Sequence, residues 1–164
     1  MPNKSAQHVA YATAAQNASK TRQVVMLYDG VISMVQRAVE AIKEGQLEER
    51  YMLIDKARKI VCGLQTALDF DNAPDIAKLM YDYYESIDMR MIHVQSTNRA
   101  DVLAQVEKEL KIMRDAWKTI DEAAEKEGKK QDTKEMYATA YEAVTVATAS
   151  SAAESSADSV SISV

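Results

Sequence analysis

The sequence predicts an all-α fold: an antiparallel up-down four-helix bundle with a short N-terminal segment and a mostly disordered C-terminal tail. Three observations carry this expectation. Only four Gly and two Pro occur in 164 residues, too few for the turns an all-β chain needs every ~8–12 positions. Four segments repeat apolar residues at spacings of three and four, the mark of amphipathic helices. The links between them are short, roughly two to eight residues, so successive helices become antiparallel neighbours.

The elements follow in chain order. Residues 1–18 form a weakly patterned N-terminal segment whose main apolar anchors are Val9 and Tyr11. Residues 19–128 hold the bundle. Its first helix carries Val24, Tyr28, Val31, Val35, Ala38 and Ile42, and Gly45 is placed to stop it. The second carries Leu53, Ala57, Ile60, Leu64 and Leu68 and ends in the breaker run from Asp69 to Pro74. The third opens with Pro74 and Asp75, both suited to a first turn, and runs through Ile76, Met80, Tyr83, Ile87 and Val94. The fourth follows an expected cap at Asn98, presents Leu103, Val106, Leu110, Met113, Trp117, Ile120 and Ala124, and stops near Gly128. Residues 129–164 read as an acidic Ser/Ala-rich tail that allows one short helix over 135–148, striped by Tyr137, Tyr141 and Val144. The tetrapeptide Tyr-Ala-Thr-Ala occurs at Tyr11–Ala14 and again at Tyr137–Ala140, which two Ala/Thr-rich segments produce readily by chance.

Charge and composition exclude several functions. The chain has 20 Lys+Arg and 25 Asp+Glu. No basic residue follows Lys134, so Glu135, Glu142, Glu154 and Asp158 carry most of the net −5. A near-neutral body has no field to attract a phosphate backbone, which argues against nucleic acid. The longest wholly apolar run, Val24 to Tyr28, is far short of the ~18 residues of a membrane span. The lone Cys62 makes no intrachain disulfide, and Met1-Pro2-Asn3-Lys4-Ser5 lacks a signal-peptide core, so a cytosolic protein is expected.

Catalytic and metal chemistry finds no support. Glu-x-x-His pairs of the di-iron bundles are missing, since Ser5 and Arg90 stand three before His8 and His93. Scattered glycines form no phosphate loop. Glu40 and Glu44, beside Lys43, belong to a solvated face, and Cys62 has no activating neighbour. No enzyme, metal or cofactor is therefore expected. One alternative is a histidine phosphotransfer bundle using His93, although Val94 and Gln95 follow it where such domains carry Lys and a small residue. Another is a self-associating structural bundle.

The positive signal is apolar surface beyond what one core face needs. On the first helix Val25, Ile32 and Val39 widen the apolar arc to roughly 200°, about twice the usual core-facing stripe. Tyr81, Met89 and Ile92 project from the third helix opposite Ile76 and Ile87, and Tyr51 lies opposite Leu53 and Leu64 on the second. Three neighbouring helices with one excess suggest a groove for a foreign amphipathic helix. Nine methionines suit an adaptable surface.

The order and spacing of particular residues add a resemblance. Met26-Leu27-Tyr28-Asp29-Gly30, with Ala38 and Ala41-Ile42, resembles the first-helix signature of the flagellar secretion chaperone FliS family. The similarity continues through Lys56-Ala57, Ile60, Leu64, Leu68-Asp69 and Tyr81-Asp82-Tyr83, then Leu103, Val106, Leu110, Arg114 and Trp117. It implies a cytosolic bundle that binds the disordered C-terminal segment of flagellin, prevents premature polymerisation and delivers the subunit to a component of the flagellar type III export gate. It also implies that Tyr11, near the position of a tyrosine in the family's N-terminal segment, contributes to the binding surface. The partner-binding set expected is thus Val9, Tyr11, Val25, Ile32, Val39, Tyr51, Tyr81, Met89 and Ile92, with a weak homodimer as the competing use of the same surface. The chain departs from the family where Lys20, in place of the usual Pro, follows Ala18-Ser19.

Overall fold

A computed structural model describes residues 7–10, 12–13, 18–128 and 132–157. Among these, residues 7–10 and 12–13 are helical, and five further helices follow: α1 Lys20–Lys43, α2 Leu47–Thr66, α3 Pro74–Thr97, α4 Ala100–Glu127 and α5 Thr133–Ala157. No strand occurs among the described residues. No described helix is long and apolar enough to cross a membrane.

Local chemistry sets the ends of these helices. Ser19 caps α1 by accepting a hydrogen bond from the Arg22 amide at 3.0 Å. Pro74 occupies the first turn of α3, where its missing N–H costs nothing, and Asp75 faces the helix dipole there. Gly128 closes α4 with φ +60°, a conformation that glycine adopts without strain. Asn98 departs from expectation. It closes α3 in the left-handed conformation at φ 58°, and Arg99 is the N-cap residue that precedes α4. The two helices are joined so tightly that the left-handed residue makes the corner.

Four helices close into a ring in which α1 packs on α2 and α4, and α3 packs on α2 and α4. Side-chain partners run in opposite order along neighbouring helices. From α1 to α4, Thr21 meets Asp121, Asp29 meets Arg114 and Gln36 meets Glu107. From α2 to α3, Arg50 meets Asn98, Arg58 meets Asp88 and Gln65 meets the Tyr81 carbonyl. These neighbours are therefore antiparallel. Between α1 and α2, Arg37 pairs with Glu49 at 2.9 Å, and a Cβ on Gly30 would stand 3.8 Å from Ile60 Cδ1.

The interior is filled from every helix. Tyr28, Val31 and Val35 of α1 meet Ile54 and Val61 of α2, Met80, Tyr84, Ile87 and Met91 of α3, and Leu103, Leu110 and Met113 of α4 in one cluster. Tyr28 Oη donates to Tyr84 Oη at 2.8 Å, which partners two phenols fully removed from water. The last helix differs from the expected tail. It is longer than 135–148, and its Tyr137, Ala140 and Val144 are buried against α3 and α4 as part of the same core.

Candidate functional site

Three residues expected to form a binding stripe on α1 are core residues instead. Val25, Ile32 and Val39 are only 6%, 5% and 9% exposed. The reason is topological. Because α1 packs on two neighbours, its wide apolar arc serves both α2 and α4, and these three positions fall within it. Val39 accordingly lies beside Ala104 and Glu107 of α4. Val9 is in the open at 65% exposure, on the helical turn where Thr13 Oγ1 donates to its carbonyl at 2.9 Å. Tyr11 lies outside the described residues.

The remaining four expected residues lie on the outer sides of α2 and α3, with Tyr51, Tyr81 and Ile92 beside the seam and Met89 roughly 60–80° further round α3. Tyr51, Tyr81, Met89 and Ile92 are all exposed there. Two features of the sequence fix them. At 100° per residue, Leu47, Tyr51, Arg58, Cys62 and Gln65 fall on one flank of α2, and Tyr81, Glu85, Asp88 and Ile92 on one flank of α3. Antiparallel packing then sets the flanks side by side.

A polar ladder holds this seam at constant register. Gln65 Nε2 donates to the Tyr81 carbonyl at 3.2 Å, at the end nearest the α2–α3 link. Arg58 makes a two-pronged contact with Asp88 at 2.7 and 3.1 Å in the middle. Gln95 Nε2 donates to the Tyr51 carbonyl at 3.1 Å, while Arg50 donates to Asn98 Oδ1 at 2.8 Å and to the Gln95 carbonyl at 3.3 Å. Tyr81 and Tyr51 therefore mark opposite ends of a track roughly 20 Å long, from fourteen residues at ~1.5 Å each. Hydrogen bonding to Asp88, against a smaller desolvation penalty, holds the Arg58 guanidinium above its usual pKa, so the rung stays charged in ordinary conditions.

Exposed Phe70 and Leu47 were not expected here. Phe70 comes from the breaker run after α2 and sets its ring edge to Tyr81, centroids 6.4 Å apart. Leu47 is the first residue of α2 and is exposed. Neither belongs to a periodic stripe interior, so helical spacing alone does not single them out.

A second apolar feature lies at the end of the bundle where α1 begins. A groove of about 730 Å³ is lined by Val24 and Leu27 of α1, Leu68 and Phe70 after α2, Trp117 of α4, and Met136 and Tyr137 of α5. Tyr137 anchors its rim. The Tyr137 ring stands edge-on to Trp117 at 6.0 Å, and its hydroxyl accepts a hydrogen bond from the Asp69 amide at 3.1 Å. His93, the residue of the phosphotransfer alternative, is exposed on α3.

Comparison with known proteins accords with this architecture. The family model described as Flagellar protein FliS matches residues 2–124. Over 113 residues the chain is 28% identical to the flagellar secretion chaperone FliS of Salmonella typhimurium, covering 68% of this chain and 84% of that protein. It is 26% identical over 107 residues to the FliS chaperone of Escherichia coli, covering 65% and 79%. To the flagellar secretion chaperone FliSB of Pseudomonas aeruginosa it is 26% identical over 117 residues, covering 71% and 93%.

Proposed function

Because the chain belongs to the FliS family, which consists of flagellar secretion chaperones and not enzymes, we propose that it binds the disordered C-terminal segment of flagellin in the cytosol. In this reading it keeps the subunit from polymerising early and passes it to a component of the flagellar export gate. The scaffold is read as an up-down four-helix bundle, supported by the opposite-order pairing of neighbouring helices. Flagellin segments become amphipathic helices as they dock, burying their apolar faces on the chaperone.

One observation carries the proposal: the exposed Tyr51, Tyr81 and Ile92 along the α2–α3 seam, extended by Phe70, with Met89 exposed on the same helix as Tyr81 and Ile92. Aromatic rings of this kind bring large contact area at little entropic cost. Val9 would add to it from the N-terminal segment.

Calorimetric titration with a flagellin C-terminal peptide tests this directly. The Tyr51→Ser, Tyr81→Ser double variant is expected to melt like the parent yet bind at least tenfold more weakly. Each lost anchor is worth about 1.5–3 kcal/mol, and 1.4 kcal/mol is a factor of ten. Equal affinity in the folded variant would move the site off this face. No binding by the parent chain would overturn the chaperone reading. Sedimentation of the chain alone measures whether the same face drives a weak homodimer.

A further inference from the structure

The cleft between α3 and α4 already contains a helix, and that helix is the chain's own α5. It begins beyond residue 124, where the match to the family ends. We propose that α5 is an exchangeable occupant of a helix-accepting groove, displaced when a client helix with bulkier apolar side chains docks in its place. This inference rests on the chaperone reading above.

Three features point the same way. The buried stripe of α5 is thin: over residues 133–149 only Tyr137, Ala140 and Val144 are buried, and the middle one is alanine. By contrast, each helix of the ring contributes at least five buried residues. Second, apolar surface stands open beside the start of α5. A groove of about 730 Å³ borders Met136 and Tyr137 and is walled by Val24, Leu27, Leu68 and Phe70, outside the α3–α4 cleft itself. A client helix that displaced α5 could extend leucines or phenylalanines onto that wall. Third, only residues 128–132 separate the helix from the end of α4 along the chain.

A tether so short holds the occupant at an effective concentration on the order of millimolar, so weak intrinsic docking suffices to keep the groove covered. Covering it hides Trp117 and its apolar surroundings when no client is present. The client then binds with an apparent affinity reduced by the fraction of open groove, about two- to tenfold. Opening is local, because the ring of α1–α4 retains its own core when α5 lifts away.

Amide hydrogen exchange on the full chain, with and without the flagellin C-terminal peptide, tests this. Residues 136–148 should exchange through a local opening well before those of α1 and α4, and should exchange faster still when the peptide is bound. The full-length Tyr137→Ala, Val144→Ser variant should bind the peptide two- to tenfold more tightly. The proposal is overturned if α5 exchanges only in step with α1 and α4, which would make it an integral helix. It is equally overturned if the peptide binds while α5 protection holds, or if the variant gains no affinity. Failure of both parent and variant to bind would instead sink the chaperone reading, and the exchange role of α5 with it.

Discussion

Trp117 and Asp121 sit one turn apart on α4 and hold the molecule together by opposite means. Trp117 is buried, packed edge-on to Tyr137 and facing the groove beneath α1 and α2. Trp117→Ala should cost about 3–5 kcal/mol through lost burial and the cavity left behind, a large share of a typical ~5–15 kcal/mol. Thermal melting checks this, and an unchanged midpoint would place the ring outside the core. Asp121 is buried yet charged. Its Oδ1 accepts from Ser19 Oγ and Thr21 Oγ1, each at 2.6 Å, and Arg22 stands 3.5 Å from Oδ2. Burial pushes this carboxyl up, but donation from Ser19, Thr21 and Arg22 outweighs it and leaves the group below its ordinary range. A carboxylate so depressed stabilises the fold above its unfolded pKa of about 3.9, and that contribution disappears as pH falls through the lower folded value. Acid titration of stability should therefore show a loss beginning below about pH 4, with Asp121→Asn less stable at neutral pH and flatter across that window. A parallel pair of curves would show that Asp121 has no part in the acid transition.

At the scale of the helix, periodicity shows where a face is buried but not how many neighbours share it. The stripes of α1 and α4 were readable because Tyr28, Val31 and Val35, and Leu103, Val106, Leu110, Met113 and Trp117, recur at three and four and are all buried. On α3, the buried residues Ala77, Tyr84 and Met91 form an additional row at heptad spacing. That row exists because α3 faces α2, α4 and α5 together, a circumstance no single helix encodes. The same cause misplaces Val25, Ile32 and Val39, whose excess apolarity reads as a docking stripe until α4 covers it. Ile32→Ala should accordingly behave as a core truncation and cost about 2–5 kcal/mol. Urea unfolding distinguishes the two roles. A stable variant with weakened flagellin binding would return Ile32 to the surface, whereas a lower midpoint with the slope intact marks lost stability.

For the molecule as a whole, the class and order of the helices were readable from spacing, Gly45, Pro74 and Gly128, while the way the ring closes was not. Four of the nine expected surface residues, Tyr51, Tyr81, Met89 and Ile92, are exposed on α2 and α3 because helix flanks are local properties. The placement of α5 escaped sequence reasoning because its stripe is short and its partners, Trp117 and Asp69, lie far away in the chain. Ring closure itself depends on the seam between α3 and α4, part of which α5 occupies. That seam is also clipped by Arg90, whose guanidinium donates to both oxygens of Glu109 at 2.7 and 2.6 Å. Side-chain exposure of 27% and 19% leaves the pair half-buried, and donation to Glu109, opposed by desolvation, holds Arg90 above its usual pKa. Two parallel charge-assisted bonds of this geometry are among the stronger polar contacts. Arg90→Met should destabilise the fold by about 1.5–3 kcal/mol, largely because Glu109 is left charged and poorly solvated. Glu109→Gln alone should cost less, and the double variant should recover part of the Arg90→Met loss, giving a coupling of at least ~0.5 kcal/mol in a double-mutant cycle. Strictly additive effects in urea denaturation would mean that the clip contributes nothing and that apolar packing alone closes the ring.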